Sequence, residues 1–317
     1  MKNPATHQKP SSTLSGGSPF RVLGMGTACM DYLVSVHDFP EENSQVYTET
    51  FEVQGGGNCG NTLVALSRLG IEAAIVTRIG TDAVGRQIHH SLKSEGVDTG
   101  FVIETDDRSP MSFIVVNDRN DTRTVIHRKG VGYGLPMDVH PSWLDNVDLL
   151  YLGGRFDAET VVAAEAKKRG IEIVVEAEHA NTFADQLFAH ADVVITAQAY
   201  HHQHFGNDHY VKNLERIIAM GPGIAVVTCG EKGAVLVSDD GVIEMKAFDI
   251  SAVDTTGAGD AFAAGFIYGC LHRWPLENRL WFAQRMAAHQ CTFFGARKGL
   301  AKQNDANAWL AETSLSS

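Results

Sequence analysis

The stretch VDTTGAGDAFAAGF, Val253 to Phe266, sets small residues and a carboxylate side by side where a helix begins. Helix formers run from Asp260 to Leu271, and Gly257-Ala258-Gly259 leads into them. The unpaired amides of a helix's first turn, with the positive end of its dipole, bind anions. Glycine lets the backbone approach a ligand without a Cβ in the way. A carboxylate would oppose a bound phosphate, so Asp260 is not a phosphate ligand; it can take a proton from an attacking hydroxyl. Gly257, Ala258 and Gly259 are therefore candidates for an anion hole, and Asp260 for a general base. The alternative is an aspartate capping a helix after a glycine turn.

Outward from this stretch, short apolar runs alternate with helical patterns from Phe20 onward, the mark of a mostly parallel sheet covered by helices. Strands are expected at Val22–Met25, Ala74–Thr77, Leu149–Leu152, Ile171–Val175, Val193–Thr196 and Ile224–Thr228, with a hairpin around Asp239-Asp240-Gly241. Helices are expected at Asn58–Leu69, stopped by Gly70, at Gly85–Ser94, at Ala158–Arg169, closed by Gly170, and at Asn278–Phe293. Gln45–Val53 and the pair Phe113–Val116 and Thr122–Ile126 alternate with period two instead. Half-exposed antiparallel strands do so, which predicts a small second sheet over a cleft.

Composition narrows the partners. At 317 residues the chain can form one large α/β domain or two smaller ones. A net charge of -12 opposes nucleic acid or an anionic membrane as the main partner. Cys29, Cys59, Cys229, Cys270 and Cys291 are scattered with no C-x-x-C pair, which suggests neither zinc nor a disulfide framework and fits a reduced, cytoplasmic setting. Nothing approaches the length of a spanning helix. Residues 1–19, rich in Ser, Thr, Pro and Lys, read as a disordered tail.

A second constellation is QGGGNCGNTLVALSRLG, Gln54 to Gly70. Three glycines precede a helix whose first turn carries Asn58 and Asn61, three apart and so on one face. Amides donate and accept, which suits a polyhydroxylated ligand; the alternative is a helix with Asn58 as its N-cap. Asp31 is placed at the end of the first strand, where open α/β sheets bind ligands, or it is a turn residue.

Asp254 to Asp260, followed by Ala261-Phe262, resembles the C-terminal signature of ribokinase-like (pfkB) sugar kinases. Gly56-Gly57-Asn58 with Asn61 resembles their N-terminal signature, about 200 residues earlier. The resemblance spans roughly Phe20 to Leu300. It implies a ribokinase-like three-layer α/β sandwich over residues 20–317, with a mostly parallel central sheet and a small β-sheet lid from about 32–54 and 110–130. It further implies ATP, Mg²⁺ and a monovalent cation as cofactors, phosphoryl transfer to a sugar hydroxyl, and a homodimer through the lid. Within the family, MDYLVSVHDFPEENS, IVVNDRNDTRTVI, LGGRFDAE and VVEAEHA are similar to stretches of the ketohexokinase (fructokinase) branch. By the resemblance Asp31, Gly56, Gly57, Asn58, Asn61 and Asn117 hold the sugar. Thr228, Gly230 and Gly233, with Gly257 and Gly259, lie along the nucleotide.

Departures bear on the substrate. Gly153 stands where ribokinases carry a sugar-contacting glutamate, and Arg155 nearby is a candidate to compensate, or else a surface arginine. The family's N-x-x-E element near Mg²⁺ falls on Thr196 to Ala199 without either residue, which leaves the metal ligands open; ketohexokinases depart there too. The histidines of YHHQHFGNDHY read as solvated rather than as a metal site, and GMGTAC is an incomplete dinucleotide fingerprint. The expected activity is ATP-dependent phosphorylation of a ketohexose or related furanose. A ribokinase-type or nucleoside specificity, or a catalytically silent sugar-binding regulator, are the alternatives.

Overall fold

The computed structural model describes residues 20–315 except 49, 118, 120, 121, 132–138 and 154–156. The tail read over residues 1–19, and Arg155, lie outside the described residues.

Strand β1 (Arg21–Met25) sends Val22 into one core and Leu23 into another, so it is apolar from Val22 onward. Buried strands covered on both faces read this way. The chain then crosses into β2 (Cys29–Val36) and β3 (Phe51–Gly56), returns through α1 (Asn58–Arg68), β4 (Glu72–Gly80), α2 (Ala83–Ser94) and β5 (Asp98–Thr105), and crosses again into β6 (Met111–Asn117) and β7 (Thr122–Arg128). Alternation resumes with β8 (Leu149–Leu152), α3 (Asp157–Lys168), β9 (Glu172–Ala177), α4 (Thr182–Phe188), β10 (Val193–Ala197), α5 (Gln198–Phe205), α6 (Tyr210–Ile218) and β11 (Ile224–Thr228). The hairpin β12 (Ala234–Ser238) and β13 (Gly241–Met245) precedes α7 (Ala258–Leu271), α8 (Leu276–Cys291) and α9 (Gln303–Leu315).

The large sheet has nine strands in the order β13-β12-β11-β10-β9-β8-β1-β4-β5. It is parallel except for the β11–β12 and β12–β13 pairs. One core joins its first face to α1, α7 and α8; the other joins its second face to α3, α4 and α6. This is the expected three-layer sandwich. GMGTAC proves to serve packing: a Cβ on Gly24 would stand 2.7 Å from Leu63 and one on Gly26 2.7 Å from Cys59, so both glycines let α1 close onto β1.

The small sheet runs β3-β2-β6-β7. Its registry aligns Val53, Tyr32, Phe113 and Ile126 in one cross-strand row, and Gln54, Asp31, Ser112 and His127 in the next. Adjacent rows face opposite ways, so one face is apolar and the other carries this polar row beside Leu33, Ile114 and Val125.

Several expectations need correction. Among the described residues of Gln45–Val53 only Phe51–Val53 is strand, the start of β3, because pairing to β2 begins at Phe51. Asp31 does not end the first strand, which stops at Met25; it lies inside β2, so the small sheet begins at Cys29. The helix after the second glycine loop starts at Ala258, two residues before Asp260, because Gly257 takes the left-handed N-cap with φ 79°. His201 is fully buried, and burial pulls its imidazole down to about 4. Its Nε2 meets the hydroxyl of Thr196 at 2.9 Å, so it is a core residue and not a solvated one.

Candidate active site

Beyond the C-terminal ends of β9, β10 and β11, where open α/β sheets bind ligands, two cavities meet at the first turn of α7. The first, of about 420 Å³, is closed on its other side by the small-sheet face that carries the polar row: Cys29, Asp31, Ser112, Arg123 and His127 line it. Gly57, Asn58 and Asn61 face it from α1, and Gly257, Gly259 and Asp260 from the second glycine loop. The second, of about 560 Å³, is lined by Thr228, Gly230, Gly233, Ala258, Phe262 and Gln284 among others. Thr228, Thr255 and Gly259 line both.

Asp260 is the third residue of α7 and does not cap it; Gly257 is the cap, with no side-chain hydrogen bond. The Asp260 carboxylate accepts from the Nδ2 of Asn61 at 2.7 Å. The loop before it is pinned by Asp254, whose carboxylate accepts from the N–H and hydroxyl of Thr256 at 2.9 and 2.7 Å and from the N–H of Gly295 at 2.9 Å. Ala258 donates its N–H to the Thr255 carbonyl at 3.2 Å, so that amide serves the turn. Gly259 stands open: a Cβ there would have the Oε1 of Glu176, at 3.6 Å, as its nearest neighbour.

The three glycines of the first loop have three different causes. A Cβ on Gly55 would stand 2.0 Å from the Nη1 of Arg297, and one on Gly56 2.1 Å from a carboxylate oxygen of Asp31. Gly57 caps α1 with φ 85°. Asn58 is thus the first helical residue and not the cap. Its Oδ1 is buried and accepts no hydrogen bond among the described residues. A Cβ on Gly153 would lie 2.9 Å from the Asn58 Nδ2, so Asn58 fills the space a side chain at 153 would need.

Asp31 is almost fully buried, and burial raises its carboxyl above the usual range, while hydrogen bonds from Cys29 and Ser112 and the charge of Arg297 oppose that rise. The Cys29 thiol donates to it at 3.3 Å, and burial pushes that thiol well up. Glu176, at the end of β9, accepts from the buried Tyr151 hydroxyl. Burial, and then the charge of Glu176, push that phenol well up.

The structure brings Asp31, Gly57, Asn58, Asn61, Gly257, Gly259 and Asp260 together around the first cavity and Thr228, Gly230 and Gly233 around the second. Gly56 is excluded from the lining; its carbonyl accepts from Arg297 at 3.4 Å. Asn117 lines neither cavity; its Oδ1 accepts from the N–H of Arg119 in the β6–β7 turn at 3.0 Å. Two residues had no sequence signal. Arg123 projects from β7 and donates to the Thr255 hydroxyl at 2.6 Å, and Arg297 is buried behind Asn61.

Comparison with known proteins agrees with this geometry. The family model for pfkB family carbohydrate kinases matches residues 21–303. A ribokinase of Haemophilus influenzae is 25% identical over 292 residues, covering 89% of this chain and 95% of the relative. An ATP-dependent ribose-1-phosphate kinase of Halopiger xanaduensis is 28% identical over 289 residues, 87% of this chain and 94% of the relative. Among solved structures, Arabidopsis thaliana ribokinase complexed with ribose and ATP superposes with a TM-score of 0.80 at 20% identity, covering 92% of this chain and 98% of the other. No helix among the described residues is long and apolar enough to cross a membrane. Matched over most of its length, the chain belongs to the pfkB family of carbohydrate kinases and is an ATP-dependent sugar kinase.

Proposed function

We propose that the chain transfers the terminal phosphoryl group of ATP to a hydroxyl of a neutral furanose or ketohexose, with Asp260 as the base. The observation that carries this reading is the meeting of two cavities at Gly259, with Asp260 one residue on. The nucleotide occupies the cavity of Thr228, Gly230 and Gly233, and the sugar that of Asp31, Asn58 and Asp260. Phosphoryl transfer is chiefly positioning and charge stabilisation. The Gly259 amide at the helix N-terminus receives the transferred group, and Asp260 takes the hydroxyl proton as the oxygen attacks. A regulator without catalysis has no use for a carboxylate held in that place by Asn61.

The charge of the first cavity supports a neutral acceptor. Asp31, Glu176, Glu178 and Asp260 line the first cavity, and Arg123 is the single Lys or Arg side chain among its described lining residues. A sugar phosphate would enter against four carboxylates. The buried Oδ1 of Asn58 is an acceptor to which a sugar hydroxyl can donate.

Carboxylate oxygens suit Mg²⁺, which keeps several waters and is held by one or two carboxylates with substrate phosphates. No group of three or more His, Cys, Asp or Glu that could enclose a metal ion exists among the described residues. Glu176 and Glu178, on the lining beside Gly259, fit as the pair that would hold it, and its charge would offset that of the phosphates. The small sheet serves as a lid, excluding water from the reaction. Its outer face exposes Phe51, Val53, Phe113 and Ile126 and suits a second copy of the chain; sedimentation equilibrium showing a monomer at micromolar concentration would remove that part.

The test is ADP release across free ketohexoses, pentoses, nucleosides and sugar phosphates. Turnover with a free sugar or ketohexose is expected. Turnover confined to phosphorylated acceptors overturns the neutral-sugar reading, and none with any acceptor overturns the kinase reading.

A further inference from the structure

We infer that Arg297 is a positioning residue for the reaction, acting on Asp260 through Asn61; this rests on the reading of Asp260 as the base. The Asn61 amide has two ends and both are in use. Its Nδ2 donates to Asp260 at 2.7 Å, and its Oδ1 accepts from the Nε of Arg297 at 2.8 Å. Turned over, the amide would set an acceptor against the carboxylate and a donor against the guanidinium. A guanidinium has no acceptor, so Arg297 permits one orientation, the one that aims an N–H at the base.

Arg297 is itself fixed on all sides. Its Nη1 donates to the Ser91 hydroxyl at 2.8 Å, its Nη2 to the Gly56 carbonyl at 3.4 Å, and its backbone N–H to the Gln54 Oε1 at 3.1 Å. Gly55 and Gly60 leave it room, since a Cβ on either would come within 2.0 and 3.0 Å of the guanidinium. Gly295, two residues before it, donates to Asp254, which also pins the loop carrying Gly257 and Gly259. The short segment Gly295–Arg297 thus touches both glycine loops.

Its charge goes beyond what packing needs. Arg297 is 5% exposed, and burial pulls its guanidinium down to about 10 against the raising influence of Cys29, Glu95 and Asp31. Among the described residues its side chain donates to the Asn61 amide oxygen, the Ser91 hydroxyl and the Gly56 carbonyl, and its backbone N–H to the Gln54 amide oxygen, none of them a carboxylate. A neutral donor would hold those acceptors at lower desolvation cost. What a charged donor adds is polarisation of the Asn61 amide, which strengthens donation from its other end.

The experiment compares Arg297→Lys, which keeps the charge and loses the fork, with Asn61→Ala and with the double variant, all checked for folding by thermal melting. Both single variants are expected to lower kcat by roughly 10- to 100-fold, as misplacement of a reacting group does, with the KM for ATP unchanged. The acidic limb of the kcat profile should move to higher pH, because a carboxylate that loses a donated hydrogen bond holds its proton more tightly. In the Asn61→Ala background Arg297→Lys should then cost nothing further. An equal loss from Arg297→Lys with and without Asn61, or an unmoved acidic limb, overturns the inference. Should Arg297→Lys not fold, Asn61→Ala decides alone: a normal limb in the folded variant overturns it, since the only route proposed runs through that amide. Asp260→Asn is assayed alongside. If it is active, the base reading fails; if it is inactive while Arg297→Lys is normal, only the Arg297 inference fails.

Discussion

The two glycine loops look alike in sequence and differ in what they leave room for. In Gly55–Gly57 two of the missing side chains make way for protein, namely the guanidinium of Arg297 and the carboxylate of Asp31. In Gly257–Gly259 the first glycine is backbone geometry, with φ 79° and Ala296 against its Cβ position, whereas Gly259 faces open space between two cavities. A glycine-rich run at a helix start is therefore two kinds of object, a seat for buried charge or a seat for a ligand. The Cβ environment separates them. On the proposed reading, the first loop builds the wall of the site and the second holds the reaction.

The comparison breaks first at Asp260. Asp260→Asn should lower kcat by roughly 10²- to 10⁴-fold, the usual weight of a general base, with ATP binding retained. Near-normal turnover, measured as ADP release, would reduce the second loop to a capped helix like the first.

Next come the glycines. Gly259→Ala has space for its methyl and an ordinary φ, so the melting temperature should hold or rise slightly. Turnover should fall by roughly 10²-fold, since the methyl displaces the transferred group. Gly55→Ala should instead lose about 1–3 kcal/mol of stability as Arg297 is forced aside, with a fall in kcat no larger than that of Arg297→Lys. Denaturant melts and kinetics on both variants settle the contrast; equal stability losses would erase it.

A smaller effect is expected at Asn58. Removing one partner from a buried ligand hydrogen bond costs about 1–2 kcal/mol, roughly five- to 30-fold in affinity. Asn58→Ala should raise the sugar KM by that factor and leave the ATP KM alone, whereas Asn61→Ala should act on kcat. A shared KM effect would return Asn61 to the sugar.

How much of this was legible in sequence depends on how far apart the causes lie. Strands buried on both faces, the stops at Gly70 and Gly170, and the helix after Gly257 are local patterns, and each element stands within a few residues of where its residues predict it. Asp31 and β2 were misplaced because the chain turns from one sheet to the other within Gly26–Ala28, and nothing in GMGTACMDYL marks that crossing. YHHQHF has no helical apolar stripe, yet Tyr200 and His201 are buried under their neighbours. Arg297 was invisible for a simpler reason: its partners Gln54, Gly56, Asn61 and Ser91 lie more than 200 residues away. The glycines at 55 and 60 are its trace, readable only once the guanidinium between them is known.

The smallest effect is expected at Arg123, which tests whether the two loops answer to the small sheet in the same way. Its side chain is exposed and reaches from β7 to the Thr255 hydroxyl at 2.6 Å, on the second loop alone. Exposed polar contacts contribute about 1 kcal/mol or less, so Arg123→Met should leave the melting temperature unchanged. If the contact only latches the sheet, the KM for sugar should rise by about fivefold or less, and kcat should stay near normal because Asp260 and Gly259 are untouched. Amide exchange in β6 and β7 should quicken, while exchange in β3, next to the first loop, stays slow. A loss in kcat comparable with that of Asp260→Asn would mean something else. Arg123 would then be neutralising the transferred group itself, and the second loop would share its charge work with the sheet that covers it.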